Sequence, residues 1–200
     1  NYRYHEGPNV QVGNTYPVMY AKTFFDGMQE AGQENIVNLL RCAWAGSQKY
    51  GALVWSGDIH STFESLQNQF CAGLSMGIAG IPWWTTDIGG FFGADINDEK
   101  YHEVFLRWFE YGTFCPVMRL HGYRMPYQPQ HGTTGGAACV SGAPNEIWSY
   151  GEQVYEICKK YIALREQMRP YIRKLMQAAH EKGDPLMRPL FYDFPQDEQA

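Results

Sequence analysis

Apolar residues recur three and four positions apart in several stretches of the chain, which is the spacing of an amphipathic helix. The spacing predicts helices over residues 16–31, 62–77, 98–111 and 146–182. Ser61 and Glu64 have the spacing of a capping box, so we expect them to cap the second helix. Within the last stretch Pro170 removes a backbone donor and predicts a break near Arg169, and Gly183 is placed to end the helix in a left-handed conformation.

Short apolar runs alternate with these helices and have the length of buried strands. They predict four strands, at residues 36–45, 52–55, 81–85 and 116–120. Because strands and helices alternate, the pattern predicts an α/β fold with a parallel sheet. A stretch rich in Pro, Gly, Gln and Thr over residues 125–142 has no period and predicts a long loop. A strand-like run at residues 186–194 lies outside the alternation.

Composition excludes several classes of protein. The 200 residues are 44% hydrophobic and 18% charged, which is enough apolar material for a folded core. A net charge of −5 without any run of Lys or Arg gives no surface for nucleic acid or an anionic membrane, so we expect neither partner. The apolar stretch over residues 71–84 is broken by glycines and Pro82, and it is shorter than the roughly 20 residues that a membrane span needs.

The five cysteines are widely spaced and form no CxxC pair or Cys/His cluster. We therefore expect free thiols, most of them buried, which favours a reducing cytoplasm without fixing the location. The sequence contains no HExxH motif, phosphate loop or dinucleotide-binding glycine motif. For this reason we expect no metal and no other cofactor.

A polar residue lies at or near the C-terminal end of each predicted strand, namely Arg41, Asp58, Asp87 and His121. Active sites of parallel α/β folds, and of (β/α)8 barrels above all, are built at this edge. Asp58 follows Trp55 and a tight turn, and an apolar wall disfavours the ionised form of a carboxyl, as a general acid requires.

Each of these four residues also has a structural interpretation, which the local sequence leaves open. Asp58 could cap a helix, Asp87 could form an Asx turn, and a lone histidine such as His121 is more often structural. Arg41 stands in an apolar run and must pair with a carboxylate, a requirement that a structural ion pair would also meet.

Aromatic residues lie close to these polar positions in the sequence: Trp44, Trp55, Trp83, Trp84, Phe91 and Phe92. Aromatic faces next to carboxylates suit a sugar, whose C–H faces pack on rings while its hydroxyls bond to polar side chains. Most aromatic residues simply belong to the core, so this observation alone is weak.

Five segments together resemble successive signatures of glycoside hydrolase family 31. They are RCAWAGSQ at 41–48, WSGD at 55–58, WTTDIGGF at 84–91, RLHG at 119–122 and MRPL at 187–190. They occur in the order of that family and span nearly the whole chain. The resemblance implies a retaining α-glycosidase, mostly an α-glucosidase or α-xylosidase, on a (β/α)8 barrel flanked by β-domains.

The resemblance also implies which part of the barrel this chain forms. The four predicted strands resemble the fifth to eighth barrel strands, so residues 1–184 would be the C-terminal half of the (β/α)8 TIM barrel and residues 185–200 the start of a C-terminal β-domain. The chain opens on Asn1 without an initiator Met, and we expect a longer parent. A half barrel leaves sheet edges unpaired, so we expect self-association or pairing with the missing N-terminal half.

By the same resemblance Asp58 is the general acid/base. The residues that would line the subsite of the cleaved sugar are Arg41, Trp55, Trp84, Asp87, Phe91 and His121. On carboxylates alone Asp58 and Asp87 would be the acid and nucleophile pair, but the family nucleophile ends the fourth strand and would lie upstream of Asn1. Asp26, in the sequence DGMQE, superficially resembles a nucleophile segment and is rejected because it lies within a predicted helix.

The sequence therefore predicts part of an enzyme that removes terminal non-reducing α-linked glucose or xylose from oligosaccharides. An α-transglycosylase of the same family and an inactive carbohydrate-binding fragment are the alternatives. Without its nucleophile the isolated chain is expected to be inactive.

Overall fold

The computed structural model describes residues 2–199, which form an α/β fold. The helices are α1 (Asn9–Val12), α2 (Tyr16–Glu30), α3 (Phe63–Ile78), α4 (Glu99–Phe114), α5 (Glu152–Gln167), α6 (Arg169–Lys182) and α7 (Leu190–Asp193). The strands are β1 (Asn38–Leu40), β2 (Ala52–Trp55) and β3 (Trp84–Thr85). Single 3-10 turns cover Gly13–Thr15, Ser47–Tyr50, Gly135–Ala138 and Ile147–Tyr150.

The three strands form one parallel sheet in the order β1-β2-β3. Leu39 of β1 is paired with Leu53 of β2, and Val54 of β2 with Trp84 of β3. A parallel pair needs a crossover connection, and α3 supplies the one between β2 and β3. All three strands consequently end at the same edge of the sheet.

The predicted fourth strand is wrong for the residues that the structure describes. Residues 116–120 run beside β3, but only isolated contacts join them to it, such as Val117 N–H to Trp84 O at 3.4 Å and Ile88 N–H to Arg119 O at 3.3 Å. The Thr85 hydroxyl also donates to Val117 O at 2.9 Å. The segment lies where a fourth strand would lie, without the regular hydrogen bonds of a ladder.

Three further expectations change in the structure. The N-cap of α3 is Thr62, whose hydroxyl accepts from Ser65 N–H at 3.1 Å, so the Ser61–Glu64 capping box does not form. Residues 186–194 contain the short helix α7 and no strand. Of the five free cysteines, the structure buries only Cys115 and Cys158.

The long helical stretch divides as predicted. Helix α5 ends at Gln167 and α6 begins at Arg169, with Pro170 in its first turn, where a missing N–H costs nothing. Gly183 then closes α6 at φ +79°, a left-handed conformation that suits a residue without a Cβ.

The main core lies between α4, α5 and the loop that follows β3. One face of α4 is buried, and it consists largely of the residues that the helical spacing selects: Tyr101, Val104, Phe105, Trp108 and Phe109. The Phe105 ring stacks on Tyr150 with centroids 4.1 Å apart. These contacts fix α4 behind the ends of the strands.

The β1 edge of the sheet is open. Among residues 2–199 strand β1 pairs only with β2, and Leu39 is 46% exposed whereas its neighbour Leu40 is buried. Helix α2 exposes a row of contacting rings beside it, with Tyr16 and Tyr20 at 6.0 Å and Tyr20 and Phe24 at 4.9 Å between centroids. No helix within residues 2–199 is long and apolar enough to cross a membrane.

Candidate functional site

The parallel sheet brings the predicted polar residues to one edge. Arg41 directly follows β1, Asp58 lies three residues beyond β2, and Asp87 lies two residues beyond β3. His121 directly follows residues 116–120, which run beside β3. The edge that the sequence singled out therefore carries all four side chains.

Arg41 and Asp58 form an ion pair at this edge. Arg41 Nη2 lies 3.2 Å from Asp58 Oδ2 and 3.3 Å from Oδ1, and the guanidinium stands 5.2 Å from the centre of the Trp55 ring. Arg41 therefore pairs with a carboxylate, as its position in an apolar run predicted, but it lies just beyond β1 rather than within the strand. Its side chain is 64% exposed and that of Asp58 34%. Such an exposed pair contributes about 0–1 kcal/mol to stability, and Asp58 remains accessible to a ligand.

Asp87 lies in a different environment. Its side chain is fully buried, and Oδ1 accepts a hydrogen bond from Arg119, which is itself 23% exposed. Burial raises the pKa of Asp87, while the nearby charges of Arg119 and His121 oppose the shift. Among residues 2–199 Oδ2 has no hydrogen-bond partner, and it has no solvent contact, so Arg119 is the member of this pair that solvent reaches.

The candidate residues are electrostatically linked. Asp58 and His121 both act on the pKa of Asp87, Asp58 raising it and His121 lowering it. The Phe91 and His121 rings lie with centroids 5.5 Å apart and planes tilted by 31°. Asp58, Asp87, Phe91 and His121 thus belong to one cluster, with Arg41 and Trp55 on the side of Asp58.

Backbone hydrogen bonds hold the loops of this cluster together. Phe91 N–H donates to Ile59 O at 2.7 Å, and Tyr123 N–H donates to Phe91 O at 2.9 Å. Gly90 makes the close approach possible, since a Cβ there would lie 2.6 Å from Ser61 Cα, and its φ of +77° also favours glycine. The WTTDIGGF segment therefore packs against the loop that carries Asp58.

The structure does not bring Trp84 into the cluster. Its indole is buried on the helix side of the sheet with Val54, Ile81 and Cys115. The Nε1 position faces Gly73 of α3, where a Cβ would lie 2.8 Å away. Because neighbouring residues of a strand point to opposite faces, the side chain of Trp84 points away from a ligand at the strand ends. The expectation that it lines a sugar subsite is corrected on this ground.

Two arginines near the site were missed as functional candidates. The sequence patterns assigned no role to Arg119, which lies in the RLHG segment, or to Arg124. Their partners lie 32 and up to 63 residues away in sequence, at Asp87 and Ser61. No local pattern identifies partners so far away in sequence. For Arg119 a signal was present, because it lies in the RLHG segment two residues before the candidate His121.

Two cavities border the described residues. A pocket of ≈ 350 Å³ lies beside the site and is lined by Arg41, Trp55, Leu39 and the α2 rings Tyr16 and Tyr20. A larger open groove of ≈ 970 Å³ lies among α3, α4, α6 and the C-terminal segment. Within residues 2–199 no group of three or more His, Cys, Asp or Glu side chains is arranged to hold a metal ion.

Comparison with known proteins gives consistent matches along the chain. The family model described as the glycosyl hydrolases family 31 TIM-barrel domain matches residues 1–175. An α-xylosidase of Saccharolobus solfataricus is 36% identical over 97% of this chain, and the match covers 24% of that protein. A protein of Pseudescherichia vulneris named as an uncharacterized family 31 glucosidase is 61% identical over 63% of the chain and 24% of its own length.

Solved structures show the same similarity. A family 31 α-xylosidase from a soil metagenome, in complex with xylose, superimposes with a TM-score of 0.94 at 62% identity and covers 100% of this chain and 30% of that protein. A xylosidase from Aspergillus niger gives a TM-score of 0.86 at 32% identity, covering 98% of this chain and 28% of its own. The chain spans 24–30% of the length of these relatives.

Proposed function

The chain belongs to glycoside hydrolase family 31, and on that premise we propose that it is the acid/base-bearing part of a retaining α-glycosidase. The proposed substrates are oligosaccharides with a terminal non-reducing α-linked glucose or xylose. The names of the relatives, xylosidases and glucosidases, support this range. The observation that carries the proposal is the exposed Asp58 carboxylate at the strand edge, flanked by Arg41 and Trp55.

In the proposed mechanism Asp58 acts first as an acid and then as a base. It protonates the leaving oxygen while a carboxylate outside this chain attacks the anomeric carbon, and it then deprotonates the water that releases the glycosyl-enzyme. Arg41 is close enough to hold Asp58 in place between the two steps. The pair is solvent-exposed, which allows a proton to exchange with water between turnovers.

The remaining candidates would bind the sugar in the cleaved position. Trp55 and Phe91 offer ring faces, and His121 and Arg119 offer polar groups. Arg119 takes the position of direct contact that the sequence assigned to Asp87, because the Asp87 carboxylate is enclosed. We propose that Asp87 instead holds Arg119 in position. Trp84 belongs to the core and has no role in binding in this proposal.

We further propose that residues 1–184 form the C-terminal half of a (β/α)8 barrel and that residues 185–200 begin the next domain. The free edge of β1, the exposed Leu39 and the aromatic row of α2 support this arrangement, because the preceding barrel strand and helix would cover them. That strand would end in the nucleophile. Robust activity of the isolated 200-residue chain on chromogenic α-glycosides would contradict this division.

The test is Asp58→Ala in the full-length protein, assayed on aryl α-glucosides and α-xylosides with good and poor leaving groups. Loss of the acid should lower kcat by about 10²–10⁴-fold for poor leaving groups and much less for good ones. Asp26→Ala is the matched control, since Asp26 is a half-exposed carboxylate that pairs with Lys22 on α2. Unchanged turnover of poor leaving groups by Asp58→Ala would refute the assignment, and product analysis at high sugar concentration separates hydrolysis from transglycosylation.

A further inference from the structure

Arg124 is a buried cation without an anionic partner. It has no exposed surface, and among residues 2–199 no carboxylate lies within salt-bridge distance of it. Removing a charge from water without a counter-charge is costly unless every N–H finds an acceptor. A side chain held under these conditions requires an explanation from its contacts.

Each nitrogen of the Arg124 guanidinium donates to at least one neutral oxygen. The acceptors, at 3.1–3.3 Å, are Ser61 Oγ, Ile88 O, Phe91 O, Asn145 Oδ1 and Tyr150 Oη. The group also stands 5.3 Å from the centre of the Tyr101 ring. A planar fork with five N–H donors can make these contacts at once, whereas a lysine has three donors on one nitrogen.

Three of these acceptors lie on the loops that carry the candidate site, and the other two, on Asn145 and Tyr150, lie just before α5. Ser61 is three residues after Asp58, and the carbonyls of Ile88 and Phe91 belong to the loop that begins at Asp87. Arg124 itself is three residues after His121. One side chain therefore connects the loops of the proposed acid/base, of the ring Phe91 and of His121.

The space around the guanidinium is shaped to fit it. A Cβ at Gly122 would lie 2.4 Å from Arg124 Cζ, and a Cβ at Gly89 would lie 2.9 Å from Nη2. Gly89 has a φ of +88°, so two constraints select glycine there. The loops therefore pack against the guanidinium so closely that a side chain at Gly89 or Gly122 would overlap it.

We propose that Arg124 is a positioning residue that sets the distance of Asp58 from Phe91 and His121. Its effect on activity rests on the proposed function, whereas its effect on the loops does not. Displacement of a reacting group by about 1 Å can cost about 10²-fold in rate. Loss of the guanidinium fork should thus lower kcat much more than it changes KM.

The experiment compares Arg124→Lys and Arg124→Gln with Arg165→Gln in the full-length protein. Arg165 of α5 is a matched control, because it also donates to three backbone carbonyls, of Thr113, Cys115 and Pro116, away from the site. Hydrogen exchange followed by mass spectrometry reports on peptides covering residues 57–62 and 87–93. Aryl α-glycoside kinetics report kcat and KM at a temperature where all variants are folded.

We expect both Arg124 variants to accelerate exchange in both peptides by about tenfold or more and to lower kcat about 10²-fold with little change in KM. Arg165→Gln should lower Tm comparably and leave both readouts near the wild type. The proposal is overturned when exchange in the two peptides does not change, or when kcat falls no further than in Arg165→Gln at equal loss of Tm.

A further variant keeps the test decisive when the Arg124 variants do not fold. Tyr150→Phe removes one acceptor and retains the ring that stacks on Phe105, so it should produce the same loop-specific exchange to a smaller degree. No rise in exchange in Tyr150→Phe would then count against the proposal. A wild-type protein without α-glycosidase activity would refute the proposed function alone, since the exchange result still decides the positioning role.

Discussion

Trp55 and Trp84 lie near the C-terminal ends of two predicted strands. Substituting each of them in turn tests which ring belongs to the core and which one binds the substrate. Trp84 is 5% exposed and packs with Val54, Ile81 and Cys115. Trp55 is half-buried and lies under the Arg41 guanidinium at 5.2 Å. We predict that Trp84 variants change stability without changing substrate affinity, and that Trp55 variants do the reverse.

The magnitudes follow from the surroundings of each ring. Removal of a buried Trp side chain costs about 3–5 kcal/mol. Within the described part of the chain no acceptor with hydrogen-bond geometry reaches Trp84 Nε1, so loss of this unsatisfied group places Trp84→Ala at the low end, about 3 kcal/mol. For a domain of this size the corresponding fall in Tm is about 6–12 °C. The Trp55 contact with Arg41 is worth about 0.5–1 kcal/mol, because the guanidinium is exposed.

The assay combines thermal denaturation with steady-state kinetics of the full-length protein on an aryl α-glycoside. Trp84→Phe should lower Tm, and Trp84→Ala should lower it further. The kcat and KM of the folded fraction should stay near the wild type in both variants. Trp55→Ala should change Tm little and lower kcat/KM about tenfold, the equivalent of one aromatic contact of about 1.4 kcal/mol. A rise in KM for Trp84→Phe at unchanged Tm would show that the indole reaches the substrate and would refute the reasoning.

Three further predictions concern stability and reactivity. Burial raises the pKa of Asp87 above its ordinary value of 3.8, so the ionised carboxylate lowers the free energy of unfolding at neutral pH, and this loss shrinks as pH falls through the raised pKa. The variant Asp87→Asn should therefore have a higher Tm than wild type at neutral pH, by a margin that shrinks on acidification. A margin that does not change with pH would contradict the direction of the pKa shift. Gly73→Ala places a Cβ 2.8 Å from an indole nitrogen and a tyrosine hydroxyl and should cost about 1–3 kcal/mol. Gly27→Ala, on an open helix surface, should raise the free energy of unfolding by about 0.5–1 kcal/mol. Denaturant titration measures both variants, and equal effects of Gly73→Ala and Gly27→Ala would rule out overpacking as the cause. Burial raises the pKa of the Cys115 and Cys158 thiols to about 12, so peptide mapping after brief alkylation should find these two unmodified and the chain's other three modified, an expectation that rapid labelling of Cys115 would disprove.

Periodic patterns in the sequence predicted the helices well and the strands less well. The buried face of α4 and the division of α5 from α6 near Pro170 follow from spacing and from one missing donor, both of which are local properties. The run at residues 116–120 has the composition of a strand, but whether it becomes one depends on a regular ladder with β3, which composition does not report. Residues 186–194 contain the short helix Leu190–Asp193 and no strand, and a short apolar run of this kind fits either structure.

The candidate site divides in the same way. The sequence by itself placed Arg41, Asp58 and Asp87 at one edge, because the ends of parallel strands meet there and these three strands are locally encoded. His121 reaches the same edge from a segment that forms no strand, which the sequence did not predict. Only the tertiary structure decided which side chains solvent reaches. Asp58 is accessible, whereas Asp87 is enclosed behind Arg119. The side chain of Trp84 points toward the helices. The tertiary structure also revealed Arg124, whose acceptors lie up to 63 residues away and meet only after the loops have packed. Burial and long-range hydrogen bonds arise from packing of distant segments, and no spacing within one segment encodes them.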